Sequence, residues 1–94
     1  MVHSAHLSGL AARAKEKASE IAGKYERTDP KIATQIRDML GFAIEFRLGE
    51  CSNDPDKKKE YADLVYKKFD DIVESGLSEG ILSGYIREMA KIIA

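Results

Sequence analysis

Few side chains in this 94-residue chain have both the type and the spacing that chemistry requires. His3 and His6 form an H-x-x-H pair, which places imidazoles on successive turns of a helix and begins a metal site. They stand at the extreme N-terminus with no third ligand in view and no histidine after them, so no bound metal is expected. Carboxylates recur at i,i+3 or i,i+4 in Glu16 and Glu20 and in Asp70, Asp71 and Glu74, the spacing of a magnesium-dependent helical hydrolase. Di-metal bundles combine such acids with Glu-x-x-His elements, which are missing here, so these acids read as solvated faces with i,i+4 partners. A carboxylate-metal hydrolase is a distant third reading, and neither catalytic residues nor a cofactor are expected. Cys51 is the only cysteine; it excludes an intrachain disulfide, fits a reducing cytosolic setting, and has no neighbouring cation cluster to activate its thiol.

The second chemistry to weigh is phosphate contact. Lys57, Lys58 and Lys59, with Lys67 and Lys68 and with Arg13, Lys15 and Lys17, are the material of a basic patch. Asp54, Asp56 and Glu60 interleave with it, and 15 Lys and Arg against 16 Asp and Glu leave a net charge of -1, so any such recognition is local. The stretch ESGLSEGILSGYIREM, residues 74 to 89, has the rhythm of a helix-turn-helix, with Gly76, Leu77, Leu82 and Tyr85 in compatible places. Its exposed face carries Glu79, Gly80, Ser83, Gly84, Arg87, Glu88 and Lys91, too little positive charge for a groove-reading helix. A plain helical hairpin is the better reading. A nucleic-acid-binding regulator using this hairpin and Lys57, Lys58, Lys59 and Arg87 is kept as the alternative function.

Four amphipathic segments must position these groups. The first, at about residues 5 to 27, aligns Leu7, Leu10, Ala11, Ala14, Ala18, Ile21, Ala22 and Tyr25 along one stripe. Its alanines form a small-residue seam that lets another helix approach closely. Asp29-Pro30 opens the second, at about 30 to 48, as cap and first helical residue. Ile32, Ala33, Ile36, Met39, Leu40, Ala43 and Ile44 give it the broadest apolar face, with Arg47 near the middle of that face at the C-terminal end. Asp54-Pro55 repeats the device for the third, at about 55 to 75, whose apolar side holds Tyr61, Ala62, Val65, Phe69, Ile72 and Val73. The fourth, at about 78 to 93, presents Ile81, Leu82, Tyr85, Ile86, Met89, Ile92 and Ile93.

Short links between such helices favour antiparallel neighbours, so the expected fold is all-α, a single small up-down four-helix bundle over residues 1 to 94. A domain of this size buries only about 60 to 65% of its unfolded surface, a thin margin that dimerisation would widen. Ala11, Ala14 and Ala18 on the first helix and Ile92 and Ile93 at the end of the fourth are the expected contacts of a homo-oligomer. Gly80 and Gly84, one turn apart away from the apolar stripe, each cost about 1 kcal/mol relative to Ala in a helix. Either close approach by another helix or a loosely wound helix start accounts for them.

No apolar run approaches the roughly 18 residues of a membrane span and no signal-peptide core is visible, so a cytoplasmic protein is expected. Scarce Asn, Gln and Cys beside abundant Lys and Glu is a balance found in thermophile proteins. The leading functional expectation is a non-enzymatic protein-protein interaction module, an adapter or the small subunit of an assembly.

Overall fold

The structure is a computed structural model that describes residues 2–49 and 53–93, with side chains from residue 9 onward. His3, His6 and Cys51 lie outside the described side chains. The regular elements of the described chain are all helices: α1 (Val2–Gly23), α2 (Pro30–Leu48), α3 (Pro55–Glu74) and α4 (Glu79–Ile93) form a small four-helix bundle. Its Cα radius of gyration is 13.3 Å, against about 12 Å for an average globule of this length, and its longest dimension is 42 Å. The bundle is therefore elongated.

Local chemistry sets the helix ends. Asp29 accepts the backbone N–H of Ile32 at 3.1 Å, and Asp54 accepts those of Asp56 at 3.0 Å and Lys57 at 3.3 Å. Each aspartate satisfies N–H groups that the helix cannot, and the following proline needs no such bond. α1 stops at Gly23, four residues before the expected end at 27, because the chain tightens there into i→i+3 turns. Lys24 and Tyr25 donate their amides to Ile21 and Ala22 at 3.2 and 3.0 Å. Between α3 and α4, Gly76 N–H reaches Val73 O and Leu77 N–H reaches Ile72 O. This is a Schellman closure, and it requires the left-handed backbone that Gly76 adopts at φ 111°.

α2 is the central element. It packs along both α1 and α3, which flank it and do not meet among the described residues; α4 lies across α1 and α2 and barely reaches α3. The core follows from that arrangement. Ala14, Ala18, Ile21 and Ala22 of α1, Ile36, Met39, Leu40 and Ile44 of α2, and Leu82, Met89 and Ile93 of α4 are buried together. Ile72 is the one buried residue of α3, whose remaining apolar side chains are half-covered or exposed.

Candidate functional site

Among the described residues, two concave surfaces stand out, on different sides of α2. The first is an open groove of about 950 Å³ bounded by Lys15 of α1, by Arg37, Asp38, Gly41, Phe42 and Glu45 of α2, and by Asp54, Lys57 and Tyr61 beside and along α3. Its charges are of both signs, and several are engaged in the fold. Arg37 bonds Glu26 at 3.1 Å, Lys68 pairs with Asp38 at 3.9 Å, and Asp54 is occupied in capping α3. Glu45 folds over the end of α2, where a Cβ on Gly49 would stand 2.6 Å from the Glu45 carbonyl oxygen. Gly49 is thus needed for close approach. Among the described residues no group of His, Cys, Asp or Glu is arranged to hold a metal.

The lysines of the basic run diverge, because successive helical residues project about 100° apart. Lys57 lines the polar groove, Lys58 is half-buried with its ammonium 5.3 Å from the Phe46 ring centroid, and Lys59 is exposed. Arg87 is exposed on α4 and donates Nε–H to the Ser83 carbonyl at 3.4 Å.

The second surface is an apolar cleft of about 250 Å³ where α3 and α4 splay apart. Ala43 and Phe46 of α2 form its floor, Ala62, Val65 and Tyr66 one wall, and Ile86, Met89, Ala90 and Ile93 the other. Tyr66 stands at its edge with 70% of its surface exposed, the most exposed large apolar side chain described. Arg47 also lines it, its charged end carried out to solvent from the apolar face on which its position falls.

Of the expected contact residues, Ala14 and Ala18 are buried in the chain's own core, so the alanine seam of α1 already receives neighbouring helices of the same chain. Ala11 and Ile92 are half-buried and packed on that core, and Ile93 is part of it. Gly80 and Gly84 lie open. A Cβ on Gly84 meets nothing within 4 Å, and one on Gly80 meets only Ser78 Oγ at 3.6 Å, so no contact within the described chain demands either glycine.

Tyr66 escapes the periodicity reading because it sits beside the main apolar stripe of α3. Ala62, Tyr66, Phe69 and Val73 nevertheless fall at i, i+4, i+7 and i+11, a second stripe displaced toward α4. Tyr25 and Tyr85 form another unanticipated pair. Their hydroxyls are 2.5 Å apart and their rings meet edge to face with centroids 6.4 Å apart, joining the turn after α1 to α4. Burial raises the Tyr85 pKa well above the ordinary phenol value, and the hydrogen bond to Tyr25 raises it further.

No family model, curated protein or solved structure matches this chain. Among the described residues no helix is long and apolar enough to cross a membrane.

Proposed function

We propose that this chain is a non-enzymatic helical interaction module, an adapter or the small subunit of an assembly, which receives an apolar partner in the cleft between α3 and α4. The observation that carries the reading is Tyr66, 70% exposed beside a cleft walled by Val65, Ile86 and Ala90. A tyrosine at the edge of a preformed apolar hole is the type of group on which binding energy concentrates, since it contributes large area at little entropic cost. The polar groove supports binding less well. Its Arg37 and Asp38 are ion-paired and its Asp54 caps α3, and it offers neither a field of one sign nor a continuous apolar wall.

A photoreactive benzophenone amino acid introduced at Tyr66, and separately at the exposed Lys31 on α2, tests the reading in the source cells. The expected outcome is a discrete protein adduct from position 66 and none from position 31. No adduct at position 66, together with nucleic acid held by the purified chain at low salt and released steeply as salt rises, would favour the nucleic-acid alternative through Lys57, Lys58, Lys59 and Arg87.

A further inference from the structure

We infer that the partner in the α3–α4 cleft is a second copy of this chain, docked about a two-fold axis running along the helices so that α3 of each copy lies on α4 of the other. The inference rests on the interaction reading above and names its occupant. Its first support is the charge on the two rims. Asp63 and Asp70 lie three residues before and four after Tyr66 and so share its side of α3. Across the cleft, Arg87 precedes the lining residue Ala90 by three positions, and Lys91 follows Arg87 by four. Beside the cleft the α3 edge presents these two acids, with Lys59 one turn before them, and the α4 edge these two bases, with Glu79 two turns before them; among the described residues none of Asp63, Asp70, Arg87 and Lys91 has an ion-pair partner. A surface with opposite charge on its two edges complements itself when rotated by a half turn, which is the condition for an isologous dimer.

The direction of the helices makes the match specific. α3 and α4 run antiparallel, so the rotation sets α3 antiparallel to the partner's α4. Asp63 then comes level with the Lys91 end of that helix and Asp70 with the Arg87 end. The apolar shape fits the same operation, since Tyr66 is a projecting knob beside a hole lined by Ala43, Ala62 and Ala90. On the outward side of α4, Gly80 and Gly84 leave open space for the incoming helix. A face as long as α3, about 30 Å, and two helices wide, about 20 Å, covers on the order of 600 Å² per copy, at the lower end of what stable interfaces bury. A reversible dimer is therefore expected, not a permanent one.

Sedimentation equilibrium of the purified full chain, from micromolar to millimolar concentration, tests this directly. The expected result is a reversible dimer that Tyr66→Glu weakens at least about tenfold. Asp70→Arg should weaken it as well, and Asp70→Arg combined with Arg87→Glu should recover most of the loss, all with unchanged helical circular dichroism. A wild-type chain monomeric at millimolar concentration, or a dimer indifferent to both Tyr66→Glu and the charge reversal, would overturn the inference. In either of those cases the cross-link at position 66 separates the two claims: an adduct with a different protein removes only the second copy as partner, and no adduct removes the interaction reading too.

Discussion

The corner where α1, α2 and α4 meet and the edge where α3 and α4 part are built from similar residue types and end in different states. In the corner, Ile21, Ile36, Met39, Leu40, Leu82 and Met89 are at most 1% exposed. At the edge, Val65, Phe69, Val73 and Ile86 are only half-covered and Tyr66 is mostly in solvent. The same hydrophobic effect acts on both; what differs is the number of helices available to cover each face. α2 is enclosed by three neighbours, whereas α3 has one extensive neighbour. The chain thus completes its core on one side and leaves an apolar stripe of α3 only half-covered on the other.

Truncating a side chain in each region separates the two most sharply. Ile36→Ala in the closed corner should cost about 2 to 5 kcal/mol in urea unfolding, because the surrounding helices cannot collapse into the void. Val65→Ala at the open edge should cost about 1 kcal/mol or less, since the half-covered side chain loses less burial. Equal losses would mean that the edge is closed in solution. Next in size is the link between the regions: Gly76→Ala should destabilise by about 1 to 2 kcal/mol through its left-handed backbone alone, as a Cβ there meets nothing within 4 Å.

Cap removal follows. Asp29→Ala should lower stability by about 1 kcal/mol, measured by thermal unfolding, through the lost bond to the Ile32 amide. Gly80→Ala and Gly84→Ala should each raise monomer stability by up to about 1 kcal/mol, since both positions are open and alanine favours helix. Leucine at both should instead obstruct the outward side of α4 and weaken association.

The smallest effect is on pH dependence. Tyr85 has a folded-state pKa raised above its unfolded value of 10.0, so the stability it contributes is fully present below pH 10 and is lost as pH rises toward the folded value. Stability measured across alkaline pH should fall less steeply in Tyr85→Phe than in the wild type.

Much of the fold was legible because its signals are local. Asp29-Pro30 and Asp54-Pro55 start helices where expected, Gly76 closes α3, and the Leu82, Met89 and Ile93 stripe of α4 is buried as its period implies. What periodicity cannot express is which neighbour takes each stripe. The alanines of α1 looked suited to a partner chain, yet Ala14 and Ala18 are filled by helices of their own chain. The cleft was hidden for the converse reason: α3 has an apolar face wide enough for two neighbours, and only tertiary structure reveals that α4 leans away from it. The early end of α1 and the Tyr25–Tyr85 bond, joining residues 60 apart, likewise depend on long-range placement.

Isotope-filtered NMR on a mixture of labelled and unlabelled copies tests whether a second copy completes the open α3–α4 edge. Intermolecular contacts are expected from the Tyr66 ring to the methyl groups of Ala62 and Ala90 of the other copy. Intermolecular contacts confined to the polar groove around Lys15, Gly41 and Tyr61, or none at millimolar concentration, would contradict it.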